Sequence, residues 1–150
     1  MIKLYKQYVR PNLEYCTPIW SPSSKGDIEH IEKVQKRFLR LIPSLHGLNY
    51  DDKLKQCNLK TLACRRKNFD LLLAHNIIKQ GLNLDVKEFF SFSREKPGIE
   101  TRSHTKDCLL KPSFRTNFRK HFFAARVVDP WNSLPVDNRE KSYLSFKNSL

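Results

Sequence analysis

Between Ser24 and Pro43 the apolar residues Ile28, Ile31, Val34, Phe38, Leu41 and Ile42 recur at steps of three and four. That spacing lines one face of an α-helix, whereas the apolar positions of a half-buried strand would alternate. The charges agree with the spacing. Asp27, Glu29 and Glu32 open the segment, and Lys33, Lys36, Arg37 and Arg40 close it. Acids near a helix N-terminus and cations near its C-terminus complement the helix dipole, each by about 0.3–1 kcal/mol. The same order leaves a basic face on the second half of the helix. Pro43 should stop it, and His46-Gly47-Leu48-Asn49 reads as the following turn.

A helix with such a stripe must bury it against other elements, and the rest of the chain supplies mostly helices. Apolar residues from Ile2 to Val9 have mixed helical spacing, and Pro11 suits the first turn of a piece running to Trp20, before a break at Ser21-Pro22-Ser23-Ser24. A short helix over Tyr50 to Cys57 carries Asp51 and Asp52 in its first turn. Thr61 reads as the N-cap of a long helix reaching Lys79 or Gln80 and stopped by Gly81. Leu62, Phe69, Leu72, Leu73, Ile77 and Ile78 make that helix the centre of the core. Residues 92–117 lack periodicity, carry a Pro97-Gly98 turn, and allow one short extended piece near Lys106 to Leu110. Helix returns with Phe118, Phe122, Ala125 and Val128 on one face and Phe123, Val127 and Trp131 beside it, and Pro130 should kink or end it. A last short helix from about Ser142 uses Tyr143, Leu144 and Phe146. The fold class expected is mainly α, one domain of five to seven helices. Its parts are a helical region 1–91, an irregular basic segment 92–117, and C-terminal helices 118–150 that pack back on the first region.

The net charge of +13, from 28 Lys plus Arg against 15 Asp plus Glu in 150 residues, repels itself within a compact chain. A polyanionic partner is the usual reason to carry such an excess, with nucleic acid the first candidate and a membrane surface the second. No apolar run approaches the roughly 20 residues that cross a bilayer. The richest, Phe69 to Ile78, is broken by Asp70, His75 and Asn76, and the N-terminus has no secretory pattern. Cys16, Cys57, Cys64 and Cys108 are scattered without a paired spacing, as reduced thiols of an intracellular protein, cytoplasmic or nuclear, would be.

Three basic clusters are candidates for phosphate contact. The first is Lys33, Lys36, Arg37 and Arg40; the second is Lys60, Arg65, Arg66 and Lys67. The third, Arg102, Lys106, Lys111, Arg115, Arg119, Lys120 and Arg126, is interleaved with Phe114, Phe118 and His121. Lys and Arg can track phosphates while aromatic rings stack on unpaired bases. Other chemistries find no support. Cys57 and Cys64 stand seven positions apart and His104 precedes Cys108 by four, unlike zinc ligands. The four glycines are isolated from one another, so no phosphate-cradling loop is present. No catalytic residue, metal or cofactor is assigned.

Two runs carry a family resemblance. One is YVRPNLEYCTPIWSPSSKGDIEHIEKVQKRF, residues 8–38; the other is Phe122-Phe123-Ala124-Ala125-Arg126-Val127-Val128 leading into Trp131-Asn132-Ser133-Leu134-Pro135. In this order they resemble the reverse transcriptases of non-LTR, LINE-type retrotransposons of the jockey-like group, in the region after the polymerase palm. The resemblance extends from about Tyr8 to Leu150 and is thin over 80–117. It implies a thumb-like helical region that grips template and primer, with RNA and/or DNA and the element's own polymerase as partners. It also implies that the palm and its metal-binding aspartates would precede Met1, so the chain alone would be a non-catalytic fragment of an RNA-directed DNA polymerase. Tyr50-Asp51-Asp52 lacks the intervening residue of that family's metal-binding motif and sits at a helix start. A helical protein-interaction module and a decayed element fragment are the alternative readings.

Overall fold

The computed structural model describes residues 1–79, 81–92 and 108–150, with Asn117 described by its backbone alone. The chain is mainly α-helical, and among the described residues the only sheet-like pairing is an isolated antiparallel bridge between Phe92 and Leu109. That bridge falls at the end of the extended piece read near Lys106 to Leu110; Lys106 and Asp107 lie outside the described residues. Two compact units divide the chain, Met1–Arg66 and Lys67–Leu150, whereas composition had divided it at 91/92 and 117/118.

The first unit begins with α1 (Ile2–Leu4), a π turn (Tyr5–Val9) and α2 (Arg10–Glu14). The single piece expected from Pro11 to Trp20 is broken: Cys16 takes a left-handed conformation (φ 52°) and α3 (Thr17–Trp20) starts afresh. Pro18 explains the break, because its ring would clash inside a continuing helix and fits the first turn of a new one. Then come α4 (Lys25–Arg40), a 3₁₀ turn (Pro43–Leu45), α5 (Tyr50–Gln56) and the start of α6 (Leu62–Ile78). The Asn49 side chain caps α5 by accepting from the Asp52 N–H at 2.9 Å, so Tyr50-Asp51-Asp52 forms a first helical turn.

The face that α4 buries is not the one its apolar spacing picks out. Leu39 is buried, yet so are Glu32 and Gln35, while Val34 and Leu41 are exposed. The two polar side chains are buried because each is fully engaged. Tyr5 Oη donates to Gln35 Oε1 at 2.8 Å, and Gln35 Nε2 donates to Tyr50 Oη and to the Lys60 carbonyl, both at 3.1 Å. Glu32 accepts from Tyr50 Oη and from the Leu62 N–H, 3.2 and 3.0 Å from its two oxygens, with the Ala63 N–H at 3.4 Å. A carboxylate at the first turn of α6 satisfies amides that have no partner inside the helix. Burial raises both the Tyr5 and Tyr50 hydroxyls above the ordinary phenol range, with the Glu32 hydrogen bond adding to the effect at Tyr50. Both therefore stay protonated as donors. An apolar cluster of Leu39, Leu45, Leu54, Cys57 and Leu59 closes around this network, with Tyr5 stacked on Phe38 at 4.5 Å.

In the second unit the remainder of α6 is the central element, as its apolar half predicts. Leu71, Ala74 and Ile77 pack with Phe90, Leu109, Val127, Val128, Trp131 and Phe146. The other elements are α7 (Val86–Phe89), α8 (Asn117–Lys120), α9 (Phe123–Arg126), α10 (Val128–Asn132), α11 (Val136–Glu140) and α12 (Tyr143–Ser149). The helix expected to kink or end at Pro130 breaks at Phe122 and Val127, and its last piece, α10, runs through Pro130. Pro130 lies in the first turn of α10, where its missing N–H leaves no hydrogen bond unmade. Asn132 donates to and accepts from the Leu109 backbone at 2.9 and 3.0 Å, pinning the segment that follows residue 107.

His75 is buried in this core, stacked on Phe146 at 4.4 Å. Its Nε2 donates to the Lys141 carbonyl at 2.9 Å, and its Nδ1 has no hydrogen-bond partner. Burial lowers its pKa below the ordinary imidazole value, the Lys141 carbonyl opposes this, and the nearby Lys79 charge adds to it. The unfolded chain therefore binds a proton at a higher pH than the folded one. Stability should be constant above the unfolded pKa of about 6.5 and fall as pH drops below it. Urea midpoints at pH 7.5 and 5 check this: His75→Gln should flatten the difference relative to the unsubstituted chain.

Candidate nucleic-acid interface

The basic residues read from the sequence divide by what their side chains meet. In the first unit Lys33, Arg37 and Arg40 stand exposed on α4, and Lys60 is exposed just before α6. Lys36 is half-buried, 5.3 Å over the Tyr50 ring and 3.8 Å from Glu29. Arg65 forms a two-point pair with Glu14, Nε to Oε1 and Nη2 to Oε2, the latter at 2.9 Å. Glu14 also meets Arg10 at 3.7 Å, the i,i+4 pair that the local spacing suggests. Arg66 is only 3% exposed. A guanidinium so placed presents no surface to a phosphate, so the second cluster is reduced to Lys60 and to Lys67, the first residue of the second unit, which is exposed.

The third cluster divides in the same way. Arg102 and Lys106 lie outside the described residues. Arg126 forms a two-point pair with buried Asp70, both contacts at 2.8 Å, and its Nη1 donates to the His121 carbonyl at 3.0 Å. It therefore ties the α8–α9 corner to α6, a positioning role in place of the phosphate contact expected of it. Lys111 pairs with Asp129.

Arg115, Arg119, Lys120 and His121 are exposed around α8, and two aromatic rings stand among them. Phe118 is 76% and Phe122 50% exposed, and their rings meet edge to face with centroids 5.2 Å apart. Helical spacing puts Phe122 on one face with Ala125 and Val128, both of which are buried. The Phe122 ring is turned outward because α8 ends at Lys120 and Phe122 becomes the cap of α9, which rotates the following residues inward. Phe123 and Ala125 then pack inward instead. The i,i+4 spacing of Phe118 and Phe122 was the available sign that the two rings belong together. Exposed rings among cations can stack on bases while the cations meet phosphates, each stacked base contributing about 1–3 kcal/mol.

Comparison with known proteins adds little to this chemistry. An uncharacterized protein of Caenorhabditis elegans is 34% identical to this chain over 79 residues. That match takes in 51% of the chain and 40% of the relative, so the chain spans less than half the relative's length. No family model matches the chain, and no solved structure does.

No three His, Cys, Asp or Glu side chains converge among the described residues in a way that would hold a metal ion. None of the helices among them is long and apolar enough to cross a membrane.

Proposed function

We propose that the chain binds nucleic acid through the aromatic and basic surface around α8, as a non-catalytic part of a retrotransposon RNA-directed DNA polymerase. The observation that carries this reading is the exposed Phe118–Phe122 pair, with Arg115, Arg119 and Lys120 exposed beside it along the chain. Two exposed rings in contact form an apolar patch with flat faces, and exposed cations close in sequence favour an anionic partner. The resemblance of residues 8–38 and 122–135 to LINE-type reverse transcriptases supplies the biological setting. It favours a template–primer as the ligand and a location inside the cell, in cytoplasm or nucleus. Exposed Arg40, Lys60 and Lys67 would add non-specific attraction to phosphate.

A labelled RNA–DNA primer–template titrated by anisotropy across a salt series tests the reading. Binding should weaken steeply with salt. Neutralising Arg115, Arg119 and Lys120 together to Gln should reduce the slope of log K against log salt by about 2–3, if each meets one phosphate. Phe118→Ala should weaken binding by about tenfold with the slope unchanged, because stacking releases no counterions. Absence of binding at low salt by a folded sample would overturn the reading.

A further inference from the structure

We propose that the outer face of α4 docks an acidic amphipathic helix of a protein partner. His30, Lys33, Val34, Arg37, Phe38 and Leu41 line a shallow groove of about 420 Å³ on the first unit. Val34, Phe38 and Leu41 form its apolar part, and Leu41 is 62% exposed. His30, Lys33 and Arg37 form its other side, and no carboxylate lines it. Asp27 precedes the groove by one turn on the same helix, and Glu29 is paired with Lys36 at 3.8 Å. The groove therefore calls for a ligand that is apolar along one edge and negative along the next.

Two observations favour a helix over nucleic acid here. Val34 and Leu41 are aliphatic and offer no flat ring, and Phe38 has one ring face covered by Tyr5, 4.5 Å away and nearly parallel. This floor accepts branched side chains better than bases, unlike the rings around α8. The lining residues also repeat at three- and four-residue steps from 30 to 41, about 16 Å along the helix axis. Three turns of a second helix, with apolar anchors at the same repeat and acids beside them, would match that stripe. The stripe is bare because the polar Glu32–Gln35 network turns a neighbouring face of α4 to the core, so the apolar sector of the helix is wider than the core covers.

The test uses the full chain and a labelled synthetic helical peptide about 18 residues long, with Leu and Phe on one face and Glu on the flanks. A peptide of the same composition in scrambled order and a single-stranded oligo-dT serve as comparators. The ordered peptide should bind, and the scrambled one about tenfold more weakly. Leu41→Glu and Val34→Glu, at exposed sites and with circular dichroism verifying the fold, should each weaken the ordered peptide about tenfold. The Lys33→Glu, Arg37→Glu pair should do the same, and Phe118→Ala should leave it unchanged. Equal affinity for both peptides, or no response to Leu41→Glu, would overturn the proposal. Competitive displacement of the peptide by oligo-dT would assign the groove to nucleic acid and overturn it too.

Discussion

Replacing Glu32 with Ala should cost the first unit roughly 3–4 kcal/mol, a large share of the stability of so small a unit. The residue is buried, and its carboxylate accepts from Tyr50 Oη and from the amides of Leu62 and Ala63. Alanine would leave those donors facing a protein interior. Each buried donor without a partner costs about 1–3 kcal/mol, and the lost cap on α6 falls within the same sum. Glu32→Gln should cost about half as much, because one amide oxygen can still accept while the NH₂ group opposes a donor. Urea unfolding followed by far-ultraviolet circular dichroism measures both. A loss below about 1 kcal/mol for the alanine variant would show that water replaces the carboxylate and that the network is not a keystone.

Trp131→Ala should have a similar effect in the second unit, about 3–5 kcal/mol. Trp131 is fully buried beside the stacked His75–Phe146 pair, with its ring centroid 6.2 Å from each. Trp131→Phe should retain most of the stability, since a smaller ring keeps tilted aromatic contacts and leaves a smaller cavity. Circular dichroism melts of both variants give the ordering, alanine well below phenylalanine and phenylalanine below tryptophan.

Local information was legible in the sequence, and information carried by distant partners was not. The extent of α4 follows from three- and four-residue spacing, that of α6 from its Thr61 cap and the stop at Gly81, and the Arg10–Glu14 pair from a four-residue step. The buried side of α4 does not. It is decided by Tyr5, Tyr50 and the backbone at 60–63, between 15 and 31 residues from Glu32 and Gln35. A hydrophobic scale places Val34 and Leu41 inside and Glu32 outside, and hydrogen bonds reverse that order. The basic clusters show the same division. Arg65 and Arg126 count as surface charge in a composition, yet each is taken by an acid 51 or 56 residues away, Glu14 and Asp70. The exposed aromatic pair was half legible, because interleaving with Arg and Lys singled out Phe118 and helical periodicity hid Phe122.

The cap that Glu32 places on α6 also sets an order of events for a chain that emerges from its N-terminus. When α4 first forms, Tyr5 already stands ahead of it for Gln35, but the Glu32 carboxylate has no protein partner yet, and water must serve it. Tyr50 follows 18 residues after Glu32, and the amides of Leu62 and Ala63 follow 30 and 31 residues after it. Until then, the polar side of α4 opposes burial and its apolar strip is the easier surface to cover. A chain halted before residue 62 should therefore remain loosely collapsed, and the first unit should consolidate only as the opening turn of α6 appears. Synthesis, more than local helix propensity, would then set the moment at which this half of the molecule becomes cooperative.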